Sequence, residues 1–281
     1  MVAILFKGRL GNQLFQYSFL RFMKAHNKGK IFFFPNPHHA YLTRYFELGL
    51  YNDLTIGSKL YSIFTRIFFK LVKFKPVYVH NFFGPKKFKA KNFTVYDGYY
   101  QSDWYLDNNP EKFEFKIKKK YTDKFDQEFG EIFRNNKTIT VHIRRTDYMH
   151  YGKRDISLPI EYFQRQLNAI PNLDSYKVFF VSDDIKYVKN VFGERSNFIF
   201  SSNNEITDFQ IIKNADVAII SNSTFAWWAA YLCDKKNTVI APKNWLAFKI
   251  GREHPKGIMT KKFTWVDVYP EVAETASAVV S

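Results

Sequence analysis

In the second half of the chain, short apolar runs alternate with longer segments whose apolar positions recur every three or four residues. Runs at 138–143, 177–181, 197–200, 216–220 and 238–241 have strand length and a β-branched or aromatic composition. Helical periodicity lies between them at 160–170, 184–192, 205–214 and 223–232. Pro159 marks the first helix entry and Gly193 the end of the second helix. Strand and helix in strict alternation predict a parallel sheet of right-handed βαβ units. The N-terminal end starts likewise, with a strand at 2–6, a Gly-containing loop at 7–12, a helix at 13–26 and a strand at 30–34. From 36 to 137 the pattern gives way to aromatic and basic segments without a clear period. The fold class expected is α/β. It has two units, a basic lobe over 1–125 and a second lobe over 126–281, joined in the Lys-rich stretch 110–137.

Charge sharpens the division. The chain of 281 residues has a net charge of +16, and residues 1–100 hold 16 Lys or Arg against 3 Asp or Glu. Residues 101–281 hold 26 against 23. A basic half suits something anionic: nucleic acid, a membrane surface or a charged substrate. With 31 Phe and 18 Tyr the chain can fill a sizeable core, which excludes disorder. Cys233 is the single cysteine, so a disulfide framework and a Cys-rich metal site are excluded. No apolar run reaches membrane-span length, and the first six residues read as a strand rather than a leader. The expected location is the cytoplasm.

In open parallel sheets, ligands bind beyond the carboxyl ends of the strands. Those positions here are unusually polar. His142 closes the run 138–143 and is followed by Arg144, Arg145, Thr146 and Asp147. Asp183 and Asp184 follow 177–181, and Ser221, Asn222, Ser223 and Thr224 follow 216–220 and open the next helix. A helix start with hydroxyls, beside a guanidinium, is suited to a phosphate, although Ser and Asn also cap helices and Arg also pairs with surface acids. Gly8, Gly11, Asn12 and Gln13 form a similar strand-to-helix passage, whose amides can read hydroxyl groups. There is no Asp-x-Asp pair, zinc-binding helix or nucleophile elbow. Trp227 and Trp228, at helical spacing beside Phe225, are expected in the core, and His38 with His39 at the surface.

Taken together, Gly8-Arg-Leu-Gly-Asn-Gln-Leu-Phe-Gln-Tyr17, His142-Ile-Arg-Arg-Thr-Asp-Tyr148 and Ser221-Asn-Ser-Thr-Phe-Ala-Trp-Trp-Ala-Ala-Tyr-Leu232 resemble the bacterial α-1,2-fucosyltransferases of glycosyltransferase family 11. Asp97-Gly-Tyr-Tyr-Gln-Ser102 resembles a further stretch of that family. The resemblance implies a two-lobed GT-B-like fold with Rossmann-type lobes and a GDP-β-L-fucose donor. It also implies inverting transfer to the 2-hydroxyl of a galactose-containing glycan, with neither metal nor cofactor. Similarity to the wider fucosyltransferase superfamily places Arg144 on the β-phosphate, His142 beside the nucleoside, and Ser223 and Thr224 on the phosphates. Asp208 falls at the guanine-reading position, and Asp183 with Asp184 matches an acidic pair. Arg145, Asn222, Gly11, Asn12 and Gln13 complete the expected donor site. The superfamily's glutamate base is not carried over, because Gly152 stands there; Asp147, Asp103 and His150 are the candidates by motif position.

Two features fall outside that picture. Lys86, Lys87, Lys89 and Lys91, interleaved with Phe88, would suit a nucleic-acid binder, but such a reading leaves the polar strand ends unexplained. Residues 59–75 place Leu60, Ile63, Phe64, Ile67, Phe68, Leu71 and Phe74 at helical spacing among Lys59, Arg66, Lys70, Lys73 and Lys75. That composition makes an anionic membrane surface a further candidate partner.

Overall fold

A computed structural model describes residues 1–35, 41–48 and 58–269. His38, His39 and the tail 271–281 lie outside these described residues, as do the side chains of Lys59, Leu60 and Arg66. In the N-terminal lobe, β1 (Val2–Ile4), α1 (Leu10–His26), β2 (Phe32–Phe33), α2 (Tyr41–Tyr45) and β3 (Phe46–Glu47) are followed by α3 (Ser58–Leu71), β4 (Lys75–Val79) and β5 (Thr94–Gly98). Next come α4 (Trp104–Asp107), β6 (Lys116–Ile117) and α5 (Lys119–Asn135). The C-terminal lobe continues with β7 (Lys137–Ile143), α6 (Ile160–Asn168), β8 (Tyr176–Ser182), α7 (Ile185–Phe192), β9 (Phe198–Phe200) and α8 (Glu205–Asn214). It ends with β10 (Val217–Ile220), α9 (Thr224–Tyr231), β11 (Thr238–Pro242) and β12 (Thr264–Val266).

The predicted parallel sheet is present, with strand order β12-β11-β10-β7-β8-β9 and every pairing parallel. Its central strands are buried on both faces because helices cover both, as the continuous burial of β7 from Thr138 to Ile143 shows. The N-terminal lobe has its own parallel sheet, ordered β2-β1-β5-β4. Two of its strands lie within 36–137, where the aromatic and basic pattern hid them. A short antiparallel pair, β3 with β6, joins Phe46 to Ile117.

Two boundaries differ from the sequence expectation by more than two residues. The first helix begins at Leu10, three residues early, because Arg9 is extended and its carbonyl accepts from the Gln13 N–H at 3.1 Å. The expected lobe boundary at 125/126 falls inside α5. That helix belongs with the C-terminal sheet: Phe133 stacks on Phe179 of β8 at 5.1 Å, and Gln210 of α8 donates to the Tyr121 carbonyl at 3.1 Å. The passage between lobes therefore precedes Lys119.

The largest apolar cluster spans both lobes, while a second lies within the C-terminal lobe. Helix α1 is buried nearly all round because it lies between the N-terminal sheet and α9. Phe15 meets Trp227 at 4.7 Å and Trp228 at 4.9 Å, and Phe46 meets Phe209 at 5.7 Å. Both tryptophans are fully buried, as expected.

Candidate active site

Each sheet has one place where the chain reverses its direction of travel across the strands. In the C-terminal sheet this is the gap between β7 and β10, and in the N-terminal sheet it is the gap between β1 and β5. Carboxyl ends diverge at such points and leave a crevice. Here the two crevices face a common cleft of about 600 Å³. Gly8, Arg9, Gly11 and Asn12 enter it after β1, and Tyr99 and Gln101 after β5. His142 enters from the end of β7, Arg144 and Asp147 after it, Asp183 after β8, and Asn222, Ser223 and Thr224 after β10.

Arg144 is the charged centre of the C-terminal wall. Its Nε and Nη2 donate to the two carboxylate oxygens of Asp147, both at 2.8 Å, and its Nε is 3.3 Å from Asp183. Burial works against the guanidinium charge, but the bonds and charges of Asp147 and Asp183 outweigh it and hold its pKa above the usual value. Burial would likewise raise Asp147, yet Arg144 and then Arg9, 3.9 Å away, pull it below the usual carboxylate range. Asp147, expected among the possible bases, is thus the ionised counter-ion of Arg144. Asp183 fastens the same turn, accepting from the Arg145 N–H at 2.9 Å, the Thr146 N–H at 3.2 Å and the Thr146 hydroxyl.

His142 sits at the divide between β7 and β10, paired in register with Ile220. Its Nδ1 lies 2.9 Å from the Ser221 hydroxyl. Burial, helped by the Arg144 charge, drops its pKa to about 3, so it is a neutral imidazole at any ordinary pH. Ser223 occupies the N-cap of α9, but its side chain makes no cap hydrogen bond. Its hydroxyl bonds with Tyr148 instead, and Ser223, Thr224 and Phe225 line the cleft. Asp208 faces the same space from the first turn of α8 and accepts from the Ser201 hydroxyl. Burial raises its pKa to about 6 against the lowering effect of that bond.

Other expected residues do different work. Gln13 is fully buried, donates to the Gly8 carbonyl at 3.2 Å and accepts from the Leu42 N–H at 3.2 Å. It secures the turn after β1 rather than facing the cleft. Asn12 faces the cleft and accepts from Gln101 at 2.9 Å. Arg145 lies over the Tyr187 ring at 3.6 Å and pairs with Asp184 at 3.5 Å, while Asp184 caps α7 through the Tyr187 N–H. Neither lines the cleft, and both brace α7. Asp103 and His150, the other base candidates, also lie outside its lining. Gly11 borders the cleft, but its Cα is pressed against the backbone of Thr224 and Phe225.

Sequence reasoning missed Glu205, Tyr148, Tyr151, Trp245 and His254, all of which line the cleft. Glu205 opens α8 after the Asn204 cap, where an acid is ordinary, so nothing in the sequence set it apart. Its burial raises its pKa, while a hydrogen bond from Tyr45 and the charges of Arg9, Arg44 and Arg144 oppose the rise. Arg9, quoted only as part of a motif, supplies a second cation.

The three motif segments, read from a single sequence, thus meet at one cleft. Consistent with this, the family description Glycosyl transferase family 11 matches residues 1–268. The chain belongs to glycosyl transferase family 11. This member is 32% identical over 125 residues to the O-antigen biosynthesis glycosyltransferase WbnK of Escherichia coli, which is 41% of this chain and 41% of that protein. It is 32% identical over 136 residues to an alpha-1,2-colitosyltransferase of Escherichia coli, covering 42% and 44% of the two chains. The chain thus spans less than half the length of the curated relatives it matches. Its fold is similar to that of the fucosyltransferase NodZ from Bradyrhizobium, with a TM-score of 0.51 at 13% identity over 82% of this chain and 92% of that one. The expected two-lobed GT-B-like α/β architecture is therefore the observed one.

Proposed function

We propose that this family 11 member transfers L-fucose from GDP-β-L-fucose to the 2-hydroxyl of a galactoside, with inversion. The observation that carries this reading is Arg144 at the strand divide, beside the uncapped start of α9. As the glycosidic bond breaks, charge grows on the β-phosphate. A fixed guanidinium with donors to spare, together with the hydroxyls of Ser223 and Thr224 at the start of α9, is suited to receive it. Asp147 then acts by holding the Arg144 fork in plane, and Asp183 by fixing the turn that carries it. Neutral His142 offers a hydrogen bond without adding charge. Asp208, when ionised, can accept from both guanine N1–H and the 2-amino group. Asn12 and Gln101 supply amides from the opposite wall for sugar hydroxyls.

The attacking hydroxyl needs a proton acceptor with an accessible lone pair. Glu205 meets that need better than Asp147, whose two oxygens are both committed to Arg144. A single displacement at the anomeric carbon turns the β-linked donor into an α-linked product. We propose that no metal or other cofactor takes part, the leaving charge being met by Arg144 and α9.

One relative is named an alpha-1,2-colitosyltransferase, which favours a second reading in which the same cleft serves another GDP-activated sugar. The deciding experiment incubates the protein with GDP-fucose and a galactose-terminated oligosaccharide in EDTA and assigns the product linkage by NMR. An α-1,2-linked fucose supports the proposal. Turnover of a different GDP-sugar with GDP-fucose inert supports the second reading. Stabilisation by random oligonucleotide and not by GDP overturns both.

A further inference from the structure

Helix α3 is held to its lobe by one face only. Thr65 is buried, while Phe68 and Phe69 each meet Phe33 of β2 at 5.9 Å and also pack on Phe74. The face turned away carries Ile63, Phe64, Ile67 and Leu71, which are 46%, 56%, 50% and 78% exposed. At the helical repeat these four fall within an arc of about 100°, so they form one continuous apolar stripe. Lys70 borders the stripe, and Lys73 and Lys75 follow directly; all three are exposed. Between residues 58 and 100 there are nine Lys or Arg and a single acid, Asp97, which is already paired with Lys7.

We infer that α3 and the lysines around it form a seat for an anionic lipid surface. The two halves of the observation choose the partner together. A second copy of this chain would set one cationic face against another and be repelled. Nucleic acid would engage the lysines but has no use for four exposed aliphatic and aromatic side chains on a helix. An anionic bilayer takes both, burying the apolar stripe at the headgroup boundary while the ammonium groups stay at lipid phosphates. No described helix is long and apolar enough to cross a membrane, so this is contact along the surface. Strand β4 leads from α3 to Asn81 on the cleft wall, and its five residues span roughly 17 Å. A chain seated this way would hold its cleft close above the lipid headgroups.

The test is co-sedimentation of the full chain with phosphatidylcholine vesicles, with and without phosphatidylglycerol, at low and high salt. The expected result is pelleting with the anionic vesicles only, weakened by salt. Lys70→Glu with Lys73→Glu should lower the partition coefficient by at least roughly 30-fold, the factor expected for two lysines near a charged surface. Ile67→Asp with Leu71→Asp should reduce pelleting to the level of neutral vesicles. These positions are exposed, and an unchanged unfolding temperature confirms that each variant folds. The inference is overturned if the wild type stays in the supernatant at low salt, or if either double variant pellets like the wild type. Binding to a random DNA duplex that survives Ile67→Asp with Leu71→Asp, with no vesicle binding, would assign the surface to nucleic acid and end the proposal.

Discussion

Replacing Gly11 with alanine tests how the cleft is held together. A methyl group there would lie 2.4 Å from the Thr224 carbonyl carbon, 2.5 Å from the Phe225 nitrogen and 2.6 Å from the Thr224 oxygen. All three are backbone atoms, so no side chain can swing aside. Restoring ordinary contact requires α1 and α9 to separate by about 1 Å. Overpacking of this kind costs about 1–3 kcal/mol, and backbone against backbone belongs at the upper end. Alanine returns at most about 1 kcal/mol of helix propensity, so destabilisation wins. For a chain of this size each kcal/mol lowers Tm by about 2–4 °C, and a net loss of roughly 2 kcal/mol predicts a fall of about 4–8 °C. The same shift moves the start of α9 away from Arg144, and a misplacement of about 1 Å at such a site costs on the order of 100-fold in turnover. Calorimetric unfolding and a transfer assay read the two effects. Gly84→Ala is the control, because nothing lies within 4 Å of its added carbon and its φ is ordinary. A Gly11→Ala protein with unchanged Tm and turnover within about twofold of wild type would refute the reasoning.

Three further substitutions examine the chemistry. Arg144→Ala should lower turnover by about 100-fold or more, as expected for loss of a preorganised donor to developing charge. Arg144→Lys should recover little because it lacks the planar fork; near-normal transfer by folded Arg144→Ala would remove the residue from the mechanism. Since burial lifts Asp208 to a pKa of about 6, its carboxylate is protonated below that pH and ionised above it. GDP affinity should therefore rise as pH increases through 6. Asp208→Ala should flatten that rise and narrow the preference for GDP over ADP, whereas calorimetry showing an unchanged pH profile would exclude the guanine contact. Glu205→Gln should keep GDP affinity while abolishing the acid limb of the kcat profile, and a variant with normal kcat across pH would show that it accepts no proton.

The C-terminal lobe was legible because its strands are short runs rich in β-branched and aromatic residues, separated by well-bounded helices. The polar tips of β7, β8 and β10 stood out against those apolar runs, so Arg144, Ser223 and Thr224 could be named from the sequence. The N-terminal sheet was harder to read. Its edge strand β4 alternates Lys75, Pro76, Val77, Tyr78 and Val79 with little burial, and β1 and β5 are separated by 89 residues. Side-chain direction was not legible at all. Gln13 sits one residue after Asn12, yet one turns into the lobe and the other faces the cleft. Arg144 and Arg145 are adjacent, and only the first enters it. Glu205 became visible only when α8 was seen to aim its first turn at the divide between β7 and β10.

Two sheets suggest two bodies free to open and close, but Phe15 wedged between Trp227 and Trp228 argues otherwise. The core that surrounds these rings runs without interruption from Val2 of the first strand to Phe263 near the last. A hinge through it would have to shear aromatic faces past one another. Heat should therefore melt both sheets in a single transition, and a chain cut between β6 and α5 should regain its shape only when its two fragments are folded together.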